Sequence, residues 1–293
     1  MPTAIAAPSA LKGKVTLGDT SPLSPATASC DGLLYIAWKG DGNDNLNVMN
    51  SPNGTAFGGK FTSAETTTQA PALCAMGKQL FIAWKGNGND LLNVARVDVA
   101  AGKVTGLSQK VTLTETSPHG PTLAAIDDRL YLGWKGDGND LLNVRVSTDG
   151  GATFGDKYTS HETSPMAPGL CSAGDELFIT WKGDGNNNLN VARVLVSGGN
   201  ITGFANKVTL PDTSPLSPSL TAANGVIFLG WRGDGNWNLN VEISDDDGRT
   251  FNEKYVSTET SAQSPTLCTF QDKVYIAWKG HGNDNLNVAY VAM

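Results

Sequence analysis

The stretch Trp38–Val48, WKGDGNDNLNV, occurs six times in the chain with few changes. Each copy places a tryptophan and a basic residue before a turn rich in glycine, aspartate and asparagine, and then continues as Asn-Leu-Asn-Val or Leu-Leu-Asn-Val. Its tryptophans are Trp38, Trp84, Trp134, Trp181, Trp231 and Trp278. They are separated by 46, 50, 47, 50 and 47 residues. Periods of this length are typical of solenoids, arrays and propellers. The alternating spacings indicate a pair of repeats that is present three times.

The residues around the motif predict four short strands per repeat. A proline-containing segment such as Ser264–Leu267 begins a first strand, and Leu34–Trp38 (LYIAW) is apolar on both faces, as in a sheet covered on both sides. The Gly-Asp segment is a turn by composition. The Asn-Leu-Asn-Val segment is a third strand, and a fourth begins with lysine, as in Lys110–Leu113 (KVTL). The sequence therefore predicts an all-β, six-bladed β-propeller of four-stranded antiparallel blades. A linear solenoid is the alternative.

The two ends of the sequence predict how the ring closes. Lys14–Leu17 (KVTL) is a fourth strand with no blade before it, and the last repeat stops at Met293 after its third strand. The N-terminal strand should complete the last blade and leave no free edge. We expect residues 1–13 to be a flexible lead-in and residues 14–293 to be a single propeller domain.

Composition and charge narrow the function classes. The 293 residues include 34 glycines and 14 prolines, only 17% are charged, and the net charge is −7. An acidic chain without a basic cluster is a poor partner for nucleic acid. No apolar run is long enough to span a membrane, and the N-terminus lacks the features of a signal peptide. We therefore expect no nucleic acid partner, no membrane insertion, no signal peptide in this chain, and a monomer.

The cysteines are expected to be free. Cys74, Cys171 and Cys268 are each 97 residues apart, so they occupy equivalent places in repeats that lie far from one another in a ring. Together with Cys30 they are interpreted as buried thiols that act as small hydrophobes.

A second turn motif carries a family resemblance. Ser147–Phe154 (STDGGATF) and Ser244–Phe251 (SDDDGRTF) share Ser-x-Asp-x-Gly-x-Thr-Phe, and Ser51–Phe57 (SPNGTAF) is a shortened version. The aspartate should accept backbone N–H groups, a glycine permits positive φ, and the aromatic should fill the gap between strands. The motif resembles the Asp-box of sialidases and related propellers. The resemblance implies a structural turn on the face opposite any catalytic centre, and an extracellular, secreted protein.

A second repeated signal accompanies the WKGDGNDNLNV motif. An acid followed by Thr and then Ser or Thr lies in each link between a fourth strand and the next first strand, beginning at Asp19, Glu65, Glu115, Glu162, Asp212 and Glu259. Strand alternation places these links and the motif turns on one face of a propeller, and the Asp-box turns on the other. The first face should therefore carry a ring of basic, acidic, amide and hydroxyl groups beside six tryptophans.

Two interpretations of this ring stay open. In one, the groups fasten the blades: the lysine pairs with the acid, the asparagines cap the turn and the tryptophan fills space between sheets. In the other, they form equivalent pockets at the blade junctions, where polar groups suit a polyhydroxylated ligand and an aromatic suits the apolar face of a sugar. Trp237 replaces an Asp or Asn at a turn tip and is the best stacking candidate. The predicted ligand-binding residues are Trp38, Lys39, Asn43, Trp84, Lys85, Asn89, Trp134, Lys135, Asn139, Trp181, Lys182, Asn186, Trp231, Arg232, Asn236, Trp237, Trp278, Lys279, Asn283, Glu65, Glu115, Glu162, Asp212 and Glu259.

The residues of known enzyme classes do not appear in the expected pattern. Sialidases need three arginines converging on a carboxylate, a tyrosine nucleophile with its glutamate, and an acidic aspartate. The Arg-Ile-Pro signature of that family is absent, and the arginines do not fall at equivalent strand ends. The three histidines form no metal-spaced cluster, and Asp41, Asn43 and Asn45 resemble only the start of an EF-hand loop. We expect no catalytic residues, metal or cofactor, although calcium stays open.

The sequence favours a non-catalytic, lectin-like propeller: a multivalent carbohydrate-binding protein with repeated weak sites on one face and glycans as its partners. A sialidase-like glycoside hydrolase and a protein-interaction scaffold are the alternatives. Which sugar is bound, and whether the chain is a module of a larger protein, stay open.

Overall fold

The computed structural model describes residues 6–293 as a ring of six four-stranded antiparallel sheets, which confirms the six-bladed β-propeller. In five blades the strands follow chain order from first to fourth, and in the sixth the N-terminal strand is the fourth strand. No helix within residues 6–293 is long and apolar enough to cross a membrane.

The strands are numbered in chain order and fall into blades as follows. Blade 1 contains β2 (Ala26–Cys30), β3 (Leu33–Lys39), β4 (Asn45–Ser51) and β5 (Gly58–Thr66). Blade 2 contains β6 (Ala72–Met76), β7 (Gln79–Lys85), β8 (Leu91–Ala100) and β9 (Lys103–Thr116). Blade 3 contains β10 (Thr122–Ile126), β11 (Arg129–Lys135), β12 (Leu141–Ser147) and β13 (Tyr158–Thr163). Blade 4 contains β14 (Gly169–Ala173), β15 (Glu176–Lys182), β16 (Asn188–Ser197) and β17 (Asn200–Thr213). Blade 5 contains β18 (Ser219–Ala223), β19 (Val226–Arg232), β20 (Asn238–Ser244) and β21 (Asn252–Thr260). Blade 6 contains β22 (Thr266–Phe270), β23 (Lys273–Lys279), β24 (Asn285–Ala292) and the N-terminal strand β1 (Ala10–Thr20).

Blade 6 confirms the predicted closure. Strand β1 pairs antiparallel with β24, with Ala10 opposite Ala292 and Val15 opposite Val288. The strand begins at Ala10, before the Lys14 at which the sequence pattern first indicates it. Residues 1–5 of the expected flexible lead-in lie outside the described part of the chain.

Alternate blades differ in the connection between their third and fourth strands. In blades 2 and 4 the strands extend into tight hairpins, in which Ala100 pairs with Lys103 and Ser197 with Asn200. Blades 1, 3 and 5 have the Ser-x-Asp or Ser-x-Asn turns instead. Each longer tryptophan spacing spans one of the two extended hairpins, so the alternation follows from this difference.

The hydrophobic core lies between blades, because each motif tryptophan packs against the preceding blade. Trp84 of blade 2 joins Tyr35, Leu46 and Val48 of blade 1 in one cluster, and Trp38 of blade 1 joins Leu286 of blade 6 in another. All six motif tryptophans are only 1% exposed. Burying so large a side chain contributes several kcal/mol to stability, so packing between neighbouring blades stabilises the ring.

All four cysteines are free thiols, as predicted. Burial raises the pKa of Cys74, Cys171 and Cys268 to about 12 and also raises the pKa of Cys30. A thiol with so high a pKa carries almost no thiolate at neutral pH, so these residues act as small apolar side chains.

Candidate functional site

The motif turns and the acid-containing links lie together on one face of the ring, which we call the motif face. In every blade the residue after the link threonine donates its N–H to a carbonyl at the tip of the same blade's motif turn. The Thr67 nitrogen is 2.9 Å from the Asp44 oxygen, and the Ser164 nitrogen is 2.9 Å from the Asp140 oxygen. Strand alternation therefore places the two repeated signals as the sequence predicts.

The first asparagine of each motif stabilises its own turn. Asn43 Oδ1 accepts the N–H of Asn45 at 3.1 Å, and Asn139 Oδ1 accepts that of Leu141 at the same distance. The same bond is made by Asn89, Asn186, Asn236 and Asn283. Glycine precedes these turns because a Cβ at Gly40 would lie 2.2 Å from Asn43 Oδ1. These asparagines, predicted as ligand-binding residues, already use a side-chain oxygen within the fold.

The second asparagine is buried and joins the third and fourth strands of its blade. Asn143 Nδ2 donates to the Leu141 carbonyl at 3.0 Å, and Asn143 Oδ1 accepts from Thr159 Oγ1 at 2.7 Å. Its side chain is therefore satisfied as both donor and acceptor, which a buried amide requires.

The motif lysines pair with the motif's own aspartate, not with the link acid that the fastening interpretation assigned to them. Lys39 Nζ lies 2.5 Å from Asp44 Oδ1, and Lys85, Lys135 and Lys279 make the same pair at 2.5–2.6 Å. The aspartate adopts positive φ at the turn tip, 59° for Asp44, a conformation that aspartate and asparagine tolerate better than most residues.

Blades 4 and 5 lack this aspartate. Asn187 occupies its position in the motif of Lys182, and Trp237 occupies it in the motif of Arg232. Desolvation lowers the pKa of Lys182 and of Arg232, because burial disfavours the charged form. The Arg232 guanidinium lies 5.0 Å from the Trp237 ring centre, so a cation–π contact replaces the ion pair in blade 5.

Each link acid instead pairs with a lysine that lies in, or directly before, the fourth strand of the next blade. Glu65 of blade 1 lies 2.6 Å from Lys110 of blade 2, and Asp19 of blade 6 lies 2.5 Å from Lys60 of blade 1. The other pairs are Glu115–Lys157, Glu162–Lys207, Asp212–Lys254 and Glu259–Lys14. These lysines are not among the predicted site residues, although a lysine recurs at the equivalent place in all six repeats.

These pairs lie at the blade junctions, and in five of them the lysine lies over the motif tryptophan. In five blades the lysine Nζ lies 5.2–5.5 Å from the ring centre of the motif tryptophan in the same blade. These lysines are Lys14, Lys60, Lys110, Lys207 and Lys254. The paired acids and lysines remain 14–43% exposed, whereas the tryptophan beneath is covered. We call the partly exposed surface around each link acid and its lysine, beside the motif turn of the lysine's blade, a junction crevice.

The junction crevice of blade 5 is a measurable cavity of about 150 Å³. It is lined by Asp212 of the link and by Trp231, Asp234, Asn236, Asn240 and Lys254 of blade 5. Its accessible lining is almost entirely polar, with carboxylate, amide and ammonium groups that can donate and accept hydrogen bonds.

Trp237 is the exposed aromatic of the motif face, as expected from its place at a turn tip. It is 39% exposed and has a φ of 63°, an uncommon conformation for a bulky residue. Its ring meets the His281 ring edge-on, with 3.7 Å between the ring centres. Trp237 therefore leans from blade 5 towards blade 6.

A second cavity of about 190 Å³ lies on the axis, where the links of all six blades converge. The residue after the link's Ser-Pro or equivalent pair varies among Leu, Gln, His and Met: Leu23, Gln69, His119, Met166, Leu216 and Gln263. All of these except Leu216 line the cavity. His119 Nε2 lies 2.9 Å from the Pro165 oxygen, and burial lowers the pKa of His119. The blades thus agree at the junctions but differ at the axis.

The opposite face carries the Ser-x-Asp turns. Asp149 accepts the N–H of Thr153 at 2.9 Å and the Ser147 hydroxyl at 2.8 Å, and Gly151 has a φ of 82°. The Thr153 hydroxyl, which donates to Asp149 Oδ2 at 2.6 Å, together with these two hydrogen bonds lowers the pKa of Asp149 to about 2. Phe154 packs against the core beside the turn.

Within residues 6–293, no group of three or more His, Cys, Asp or Glu side chains is arranged to hold a metal ion. No model of a known protein family matches the sequence, and no curated protein is similar to it in sequence at a significant level.

Comparison with solved structures shows sialidase and lectin propellers with a similar fold. Trypanosoma rangeli sialidase has a TM-score of 0.65 and 15% identity over 93% of this chain, which spans only 55% of that enzyme. The Hadza microbial sialidase Hz136 has a TM-score of 0.66 and 13% identity, covering 94% of this chain and 66% of the sialidase. Aleuria aurantia lectin, solved with Fucalpha1-6GlcNAc, has a TM-score of 0.63 and 11% identity, covering 93% and 97%. At these identities the comparisons show a sialidase-like propeller fold.

Proposed function

We propose that the protein is a multivalent carbohydrate-binding propeller whose junction crevices bind sugar hydroxyls. The observation that carries this proposal is the repetition of one partly exposed acid–lysine pair at all six blade junctions, with the lysine above a buried tryptophan in five of them. A carboxylate accepts hydrogen bonds and an ammonium group donates them, so one pair can bind adjacent hydroxyls of a neutral sugar.

Under this proposal, most of the predicted ligand-binding residues support the crevice, and only some of them contact the sugar. The motif tryptophans, lysines and first asparagines support the crevice from within, because they are buried or already bonded inside the fold. The link acids and the fourth-strand lysines remain accessible and are the proposed contacts. Trp237, at 39% exposure, is the proposed stacking surface near the junction of blades 5 and 6.

The fold comparisons are compatible with this role. The Aleuria aurantia lectin is a propeller solved with a fucosylated disaccharide, and it has nearly the same extent as this chain. Six weak sites on one face would supply avidity on a glycan-coated surface. An extracellular, monomeric protein belongs to the same proposal, as does the view that the Ser-x-Asp turns are Asp-boxes.

The test is a glycan array on the intact chain, followed by native mass spectrometry with the best ligand. We expect more than one ligand per chain, and Lys110→Ala or Glu65→Ala should each remove one. Lys78→Ala is the matched control, because Lys78 pairs with Asp31 of the neighbouring blade on the opposite face at 3.1 Å. Retention of no glycan, or an unchanged ligand number in Lys110→Ala, would contradict the proposal.

A sialidase-like glycoside hydrolase is the second candidate, because sialidases share the fold and because the blades differ at the axial cavity. The side chains lining that cavity include no Asp, Glu, Arg or Tyr. Glycoside hydrolysis by the usual route needs two carboxyl groups, so this lining favours binding over hydrolysis. Turnover of a fluorogenic sialoside or glycoside that a single substitution abolishes would establish the enzyme instead. A protein-interaction scaffold predicts neither retention nor turnover.

A further inference from the structure

One position of the third strand differs between blades that are otherwise nearly identical. It is the residue that directly follows the motif valine, and we call it the floor position. Its occupants are Met49, Ala95, Arg145, Ala192, Glu242 and Ala289. Four blades place an uncharged, buried side chain there, and blades 3 and 5 place opposite charges.

Blade 3 shows that a side chain at the floor position reaches the junction crevice. Arg145 Nη2 lies 3.0 Å from Oε1 of Glu115, the link acid that also pairs with Lys157. In blade 5, Glu242 lies on the same face of β20 as Asn240, because residues two apart in a strand share a face. Asn240 lines the blade 5 crevice.

Glu242 is a buried acid with an unsatisfied oxygen. The residue is 8% exposed, and its Oε2 atom is buried without a hydrogen-bond partner among the residues that the structure describes. Asp212 and Lys254, which line the crevice, are its charged neighbours, and Lys254 is already paired with Asp212. A buried carboxylate without its own cation is unfavourable, so the site lacks one positive charge.

We infer that the blade 5 crevice binds a sugar with a protonated amino group, such as a hexosamine, whose ammonium group donates hydrogen bonds to Glu242 and Asp212. This inference rests on the proposed function and assigns a ligand class to one of its six sites. The other crevices lack an acid at the floor position and accept neutral sugars.

Protonation of Glu242 regulates this site. Desolvation, followed by the charge of Asp212, raises the pKa of Glu242 to about 7, while Lys254 acts in the opposite direction. The ammonium group binds the carboxylate form, so binding releases a proton from Glu242. Affinity for the amino sugar should therefore rise from pH 5 to pH 7, by about tenfold or more.

The experiment compares a glucosamine oligosaccharide with its N-acetylated counterpart of equal length, by calorimetry at pH 5 and pH 7. We expect the glucosamine oligomer to bind one site more tightly than the acetylated oligomer does. Its affinity for that site should rise with pH. Glu242→Gln and Glu242→Ala should each weaken that binding about tenfold and abolish its pH dependence. Alanine occupies the floor position in blades 2, 4 and 6, so the second variant is expected to fold.

Two controls separate the site from general charge attraction. Asp128→Asn removes one exposed carboxylate from a turn on the opposite face and should leave binding unchanged. Ala192→Glu places an acid at the floor position of blade 4, beside the pair Glu162–Lys207, and should add a second amino-sugar site if the variant folds.

Unliganded melting curves report on Glu242 independently. Folding raises the pKa of Glu242 from an unfolded value near 4.5 to about 7. This shift contributes stability that is fully present below pH 4.5 and is lost as pH rises through about 7. The wild-type melting temperature should therefore fall between pH 5 and pH 8 relative to that of Glu242→Gln.

The outcomes are distinguishable. Equal affinity for the two oligomers, or unchanged amino-sugar binding in Glu242→Gln, overturns the inference but leaves the proposed function intact. Binding of neither these oligomers nor any array glycan overturns both.

Discussion

At the scale of single residues, the motif face shows why repeated polar side chains are ambiguous in a sequence. Asn43 and Lys39 have the composition of a binding site, yet both are bonded within their own turn. The sequence pattern predicted the turn and its face correctly. It did not predict that Lys39 pairs with Asp44, because that choice depends on the positive φ of one turn residue.

The two asparagines of one motif should differ in their contributions to stability. Asn143→Ala removes hydrogen bonds to Leu141 and Thr159 and leaves polar groups unsatisfied inside the blade, so it should cost about 2–3 kcal/mol. Asn139→Ala loses one bond at an exposed turn and should cost about 1 kcal/mol. Guanidinium unfolding in glycan-free buffer measures both. A larger loss for Asn139→Ala would show that the second asparagine does not hold the strands together.

At the scale of elements, each blade is a meander whose two sets of turns have different tasks. The link acids and fourth-strand lysines join neighbouring blades on the motif face, as Glu65 and Lys110 do. Strand alternation was sufficient to assign each turn to its face from the sequence. The partners across a blade junction were not predictable, since they depend on the distance and angle between two sheets.

The turn between β12 and β13 provides a test of this local stabilisation. Asp149→Ala removes the acceptor for Thr153 and Ser147 and should lower the melting temperature by about 2–4 °C at neutral pH. Because these bonds lower the pKa of Asp149 to about 2, its contribution is present above pH 4 and is lost as pH falls through 2. The difference between wild type and variant should therefore shrink in acid. Asp175→Ala, in the exposed turn between β14 and β15, is the control and should melt like the wild type.

At the scale of the whole molecule, the sequence predicted the fold almost completely because the repeat period, the strand alternation and the unmatched KVTL segment all agree. The computed ring has the predicted number of blades and the predicted closing strand. The axial cavity was not predicted, since its lining comes from the links of all six blades, and the link residues there are not the same in every repeat.

Deletion of residues 1–20 tests the closure directly. It removes β1, leaves β24 with an unpaired edge and should lower the melting temperature by roughly 10 °C or more. A circular permutant that joins Ala292 to Ala10 through a short linker and opens the hairpin at Ala100–Lys103 keeps every strand pair. It should melt within a few degrees of the wild type. If the deletion melted like the permutant, closure by β1 would contribute little.

The pairing of Ala10 with Ala292 also sets the direction in which the molecule can be attached to anything else. Both chain ends leave the ring where the other even-numbered blades have their Ala100–Lys103 and Ser197–Asn200 hairpins, on the side away from the crevices. A tether, a surface immobilisation tag or a fused fluorescent protein at either end would therefore attach the propeller through the face opposite the motif face. All six junctions would then point outwards together.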